Sequence, residues 1–278
     1  PRMLSSCVYQ LNVFVDTILS SFSNIAGAGA VAALYFANRI LQFPLGIFGA
    51  AIASASLSAM SQQALEENKA SLKRTLSFSL VAVFLIMLPV SIIFITLGSP
   101  IVEILFQRGR FGAYSTASTS YALLFYSLGL SCYAANKVLA YCFFALKDTK
   151  TPLKLSLVSV TLNIVLNLIL MYPLKLGGLA LATAISAAVN SLLLFRALRK
   201  KIGPLGGQYL LMALSKILFA IIIMAIACLY AYNNFFKNLL VLRTLTAVAC
   251  GFTVFILANI LTGLEELPKV FRWIFAKK

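Results

Sequence analysis

A chain of 278 residues with 61% hydrophobic and 11% charged side chains falls well below the roughly one-quarter charged content of soluble domains, which excludes a water-soluble fold. The formal net charge of +16 invites a nucleic-acid reading, but apart from Arg39 and Lys137 the basic residues divide sixteen against five between the loops and run ends of the two sides. That asymmetry is a membrane-topology signal and not a nucleic-acid surface.

Apolar runs long enough to cross a roughly 30 Å hydrocarbon core, which takes about 20 helical residues, occur near 3 to 25, 31 to 60, 76 to 98, 116 to 146, 153 to 172, 177 to 199, 212 to 232 and 241 to 263. An all-α polytopic membrane protein with about eight spans is expected. The second and fourth runs are long for one crossing, so tilt, a kink at Pro44 or extension beyond the bilayer is expected. The basic bias places both termini in the cytoplasm. The chain opens at Pro1 inside a spanning run without a signal-peptide pattern, and is expected to be part of a longer protein.

The first run carries Gln10, Asn12 and Asp16, and Asp16 is the single acidic residue well inside any span. A carboxylate in that position must be paired, protonated or bound to a cation. The second run holds Tyr35-Phe-Ala-Asn-Arg-Ile-Leu-Gln-Phe-Pro-Leu-Gly-Ile-Phe-Gly49. An arginine near mid-membrane costs roughly 2.5–3.5 kcal/mol on insertion scales, so Arg39 either faces a wet bundle interior or snorkels from a helix end. Five residues on, Pro44 removes a backbone donor, and Gly46 and Gly49 allow bending and close approach, which makes Pro44 and Gly46 a candidate hinge.

Beyond a mixed-charge connector over 62 to 74, the third run closes at Gly98-Ser-Pro100, and 101 to 114 reads as an interfacial helix with a basic tip. The fourth run contains Asn136 and Lys137, the latter about ten residues from the nearer end and a candidate for the same cavity as Arg39. Lys147-Asp-Thr-Lys-Thr-Pro152 is a tight turn into the fifth run, where Asn163 and Asn167 stack at i and i+4. The sixth run adds Thr183, Ser186 and Asn190. If three helices converge, Asp16, the two asparagines and Thr183 offer the oxygen ligands of a hard cation, while interhelical hydrogen bonds use the same groups. The five cysteines lie in apolar runs without Cys-x-x-Cys spacing and read as small hydrophobes. After a basic, glycine-rich linker near 199 to 207, the last two runs are almost wholly apolar, and 265 to 278 reads as an amphipathic anchor.

Three motifs carry a resemblance to the lipid II flippases of the MurJ or MviN type, in the multidrug, oligosaccharidyl-lipid and polysaccharide exporter superfamily. They are the Tyr35 to Ala50 run, Leu105-Phe-Gln-Arg-Gly-Arg-Phe111, and Lys137-Val-Leu with Phe143-Phe-Ala-Leu-Lys-Asp-Thr-Lys-Thr-Pro152. The resemblance implies that residues 1–200 form the second six-helix lobe, and 201–278 two additional spans with the tail. It implies a flippase, not an enzyme, that moves undecaprenyl-pyrophosphate-linked disaccharide pentapeptide outward across the bacterial inner membrane by alternating access. Its partners would be lipid II, membrane lipids and a first lobe, with no nucleic acid.

By the same resemblance Arg39 meets the pyrophosphate, with Asn38, Gln42 and Lys137 beside it. Asn38 and Gln42 stand where acidic residues often occur in the family. No cofactor is implied beyond sodium, whose ligands would be Asp16, Asn163, Asn167, Thr183 and the backbone carbonyl of Leu179. The competing expectations are an exporter of another polyprenyl-linked oligosaccharide or of a drug, and a membrane scaffold without transport. A membrane transferase or phosphatase would call for paired acids or histidines at the interface, and the chain has no histidine.

Overall fold

Long apolar runs leave the backbone no hydrogen-bond partner but itself, so each closes into a helix. The computed structural model describes residues 14–66, 69–236, 238–263 and 266–268, and its regular structure is entirely helical. The elements are α1 (described over 14–21), α2 (Ser23–Ala26), α3 (Ala30–Pro44), a π-helical turn (Leu45–Gly49), α4 (Ala50–Leu65), α5 (Lys69–Phe106), α6 (Ala113–Leu128), α7 (Leu130–Ala145), α8 (Lys150–Leu174), α9 (Leu176–Ile202), α10 (Gly207–Asn234) and α11 (Leu240–Leu261).

Among the described residues, six helical stretches are long and apolar enough to span a bilayer, and α6 with α7 makes a seventh across a 44° bend. These seven are the second to eighth expected runs; Gln10, Asn12 and the start of the first run lie outside the described residues. The second run is a single 36-residue rod through the π turn, about 54 Å at helical rise, and so reaches past the hydrocarbon core. Its irregularity follows Pro44, whose missing donor frees a carbonyl one turn back.

Two expectations are adjusted. The stretch 101 to 114 does begin in a helix of its own, because α5 is two helices joined at a kink, the non-helical Leu97 at φ −117° and ψ 17°, but that second helix ends at Phe106 and the basic tip lies in non-helical 107–112. Gly98 and Pro100 follow that bend directly, so proline's missing donor falls in the first turn of the new direction. The fourth run breaks at Gly129, where the sequence reading singled out only Pro44. A Cβ on Gly129 would lie 2.8 Å from the Ala184 Cα, so α9 passes too close for any side chain there.

α5 is the central post, with Leu76, Val83 and Met87 fully covered by α4, α6, α7 and α10. α8 and α9 form the most intimate pair, pressed together where Gly178 lies so near the Leu170 carbonyl that a Cβ would come within 2.1 Å of its oxygen. α10 and α11 pack chiefly on each other and lean on α5. Their outer faces expose Leu211, Phe219, Ile222, Ile226, Leu245 and Leu257, a lipid-compatible surface. Of the expected amphipathic tail, only residues 266–268 are described.

Candidate functional site

α1, α8 and α9 bring together every side chain of the candidate cation set. Asn163 and Asn167 stack on the inner face of α8, 1% and 0% exposed. The Asn167 amide donates to Asp16 Oδ1 at 2.6 Å and to Asn163 Oδ1 at 2.9 Å. Asn163 Nδ2 donates to Thr183 Oγ1 at 3.3 Å. The Thr183 hydroxyl lies 2.9 Å from the Leu179 carbonyl and 3.3 Å from Asp16 Oδ2. One turn of α9 separates Leu179 from Thr183, so the backbone oxygen and the hydroxyl share a face. The close pass at Gly178 draws that face onto α8.

The donor set is all oxygen, with one carboxylate, two carboxamides, a hydroxyl and a carbonyl. Among the described residues no three acidic, histidine or cysteine side chains gather as a divalent or soft metal would need. A single formal negative charge with neutral oxygens fits a hard monovalent cation, and the residues present fit sodium.

The α3 site is an uncovered face and not an enclosed hollow. Arg39 is exposed there, with Nη2 donating to the Tyr35 hydroxyl at 2.9 Å and Cζ 4.9 Å from the centre of the Tyr35 ring. One position round the helix, Gln42 Nε2 donates to Asn38 Oδ1 at 3.2 Å. Both are i, i+4 pairs, so the cation and a polar ladder lie side by side above the π turn. Among the described residues the one ion pair is Lys201 with Asp148, which leaves Arg39 without a carboxylate. Its charge and free N–H groups suit a phosphate-like anion.

Lys137 sits half-buried on α7, and no hydrogen bond or ion pair joins it to Arg39. In the candidate hinge, Pro44 is buried at the end of α3, whereas Gly46 is exposed and a Cβ there would meet nothing within 4 Å. A Cβ on Gly49 would stand 3.5 Å from the Ala134 and Met87 side chains, an ordinary contact distance, so the close approach expected of the two glycines is found at neither. Tyr35 is the site residue that sequence reasoning passed over. An aromatic ring four residues before a lone arginine was the available signal.

A family model described as Lipid II flippase MurJ matches residues 1–250. A probable lipid II flippase MurJ of Vibrio cholerae is 35% identical over 198 residues, covering 71% of this chain and 37% of that protein. Its counterpart in Rickettsia prowazekii is 37% identical over 195 residues, covering 70% and 38%. Among solved structures, a lipid II flippase MurJ in an inward closed conformation superposes with a TM-score of 0.74 at 25% identity, over 91% of this chain and 51% of that one. The chain thus spans less than two-fifths of the length of these two curated relatives.

Proposed function

The chain belongs to the lipid II flippase MurJ family, and we propose that it forms the second lobe (1–200) and the additional helix pair (201–278) of a transporter that moves lipid II across the bacterial cytoplasmic membrane. The observation that carries this reading is Arg39, a guanidinium held by Tyr35 on an uncovered face of a spanning helix, directly before a π turn. In this proposal the face looks onto a first lobe, and Arg39 grips the pyrophosphate bidentately while Asn38 and Gln42 hydrogen-bond its oxygens. Lys137 adds positive charge to the same cavity. Cationic groups favour an anionic lipid over the cationic substrates that acidic cavities attract.

The prenyl chain stays in lipid against the exposed aliphatic faces of α10 and α11. Rocking about Pro44 and the π turn reorients the site between the two sides. The test is Arg39→Ala in the full-length protein, scored by lipid II exposed on the outer leaflet of cells or vesicles. Flipping should fall at least tenfold at equal expression, and unaltered flipping removes the proposal.

We further propose that Asp16, Asn163, Asn167, Thr183 and the Leu179 carbonyl hold sodium. Bound there, a cation supplies positive charge that balances Asp16 and ties α1 to the α8–α9 pair. Sodium should raise the melting temperature of the purified protein against potassium at equal ionic strength, and Asp16→Ala should abolish the difference. A difference that persists in Asp16→Ala discards this site without touching the Arg39 proposal.

A further inference from the structure

The helix ends that carry most of the basic residues also hold a cavity that neither site above uses. It has a volume of about 750 Å³ and lies between the start of α5, the 203–206 linker and the first turn of α10. Its walls include Lys73, Arg74, Ser77, Phe78, Leu205 and Tyr209. The Ser77 hydroxyl donates to the Leu205 carbonyl at 2.9 Å, so the linker wall is fixed to α5. Lys73 is half-buried and aims at the linker, its Nζ 3.1 Å from where a Cβ on Gly203 would stand.

Three features give this cavity a preference. Neither Lys73 nor Arg74 forms an ion pair among the described residues, where the one pair is Lys201 with Asp148. No side chain caps α10 at Gly206, so the positive end of its dipole adds to the same field. Directly past Arg74 the helix becomes apolar, with Leu76 and Phe78 leading into the spanning run, which sets the two cations at headgroup depth. The result is a basic mouth over an apolar wall of Phe78 and Leu205. A free phosphate would leave most of this volume empty, whereas a lipid headgroup with the start of its chains matches it.

We propose that this cavity binds the headgroup phosphate of an anionic phospholipid, with Lys73 and Arg74 on the phosphate and the acyl chains descending past Phe78. Its walls come from α5 on one side and the linker and α10 on the other. A bound lipid therefore cements the additional helix pair to the lobe. The inference rests on neither Arg39 nor the cation cluster.

The test uses the full-length protein purified in a neutral detergent and titrated with phosphatidylglycerol, phosphatidylcholine, inorganic phosphate and undecaprenyl pyrophosphate, read by native mass spectrometry and by melting temperature. Phosphatidylglycerol alone among the first three should bind and raise the melting temperature. Lys73→Gln with Arg74→Gln should weaken it roughly thirtyfold, from about fivefold for each headgroup-level charge.

The exposed Arg74→Gln alone should weaken binding roughly fivefold with its unliganded melting temperature intact. Lys73→Arg with Arg74→Lys, and the control pair Lys150→Gln with Lys154→Gln, should bind as the parent does. Unchanged phosphatidylglycerol binding in both Gln variants overturns the proposal, as does an equal response to phosphatidylcholine. Inorganic phosphate matching the lipid would mean a free-anion site instead. A larger loss of undecaprenyl pyrophosphate than of phosphatidylglycerol would mean a substrate subsite.

Discussion

Arg39 and Asn167 each do one thing that a near neighbour in chemistry cannot. The guanidinium presents paired N–H groups in a fixed plane and is held over Tyr35, its Cζ 4.9 Å from the ring centre and its Nη2 donating to the hydroxyl. A lysine keeps the charge and loses the fork. Arg39→Lys in the full-length protein should therefore weaken undecaprenyl pyrophosphate binding about tenfold in a direct titration, with melting temperature unchanged. Tyr35→Phe keeps the ring and drops only the accepting hydroxyl, so its effect should be smaller than that of Arg39→Lys. Asn167 donates to Asp16 at 2.6 Å, so Asn167→Asp puts a second carboxylate in contact with the first. Two like charges at that distance repel unless a cation or proton joins them. The variant should melt below the parent in sodium-free buffer and gain more from added sodium, with an apparent affinity about tenfold higher. Equal melting curves with and without sodium would remove the cation reading at this residue.

The α8–α9 hairpin shows how much of the architecture a sequence carries. Hydropathy is a local property, so the second to eighth spans were legible as runs, and the i, i+4 spacing of Asn163 and Asn167 already put both amides on one face. The Thr183 partner follows because consecutive helices pair. Asp16, a hundred and fifty-one residues before Asn167, was legible as an anomaly and as a partner of the two asparagines and Thr183 on the condition that their helices converge, and only the family resemblance implied that they do. Pro44 marked the place of the π turn, and Gly98-Ser-Pro100 that of the kink at Leu97. The bend at Gly129 had no such mark, because it depends on how close α9 passes in three dimensions.

Glycines separate the two cases at the scale of the element. At Gly178 a Cβ would fall 2.1 Å from the Leu170 oxygen, a backbone atom that cannot move without opening the hairpin. Gly178→Ala should lower stability by about 3 kcal/mol or more, at the upper end of overpacking costs, and abolish any sodium-dependent shift in melting temperature, because Thr183 moves away from Asn163. Gly46 has open space around it. Gly46→Ala should be neutral or stabilise by about 0.5–1 kcal/mol through the unfolded chain. A large loss at Gly46 would show that the π turn tolerates no side chain there.

At the scale of the whole molecule, a chain with net charge +16 gathers its positive charge at one end of the bundle, where carboxylates are few and each counts. Asp148 is the one that is paired among the described residues, and it closes the basic end of the α8–α9 hairpin whose other end is pinched at Gly178. It accepts the Thr151 amide at 3.0 Å and the Thr151 hydroxyl at 2.8 Å, which caps the start of α8, and the Lys201 ammonium from the end of α9 at 2.5 Å. Partial burial pushes its carboxyl upward, but the Lys201 ammonium and the two Thr151 donors outweigh that and hold it at about 2. The ordinary value for an aspartate in an unfolded chain is about 3.9. The folded value is the lower one, so ionised Asp148 stabilises the fold at any pH above the unfolded value, and this stabilisation is lost as pH falls from about 4 toward about 2. Lys201 is two-fifths exposed, so solvent screens the pair, and cap and pair together contribute on the order of 1–2 kcal/mol. Asp148→Asn should therefore melt below the parent from pH 5 to 8 by a constant margin, and the two curves should converge as the buffer is taken to pH 2.5. Lys201→Gln should show a smaller margin with the same convergence, because it leaves the Thr151 cap in place. A margin that stays constant down to pH 2.5 would mean that the asparagine disturbs packing and that the carboxylate's charge contributes nothing to holding the hairpin shut.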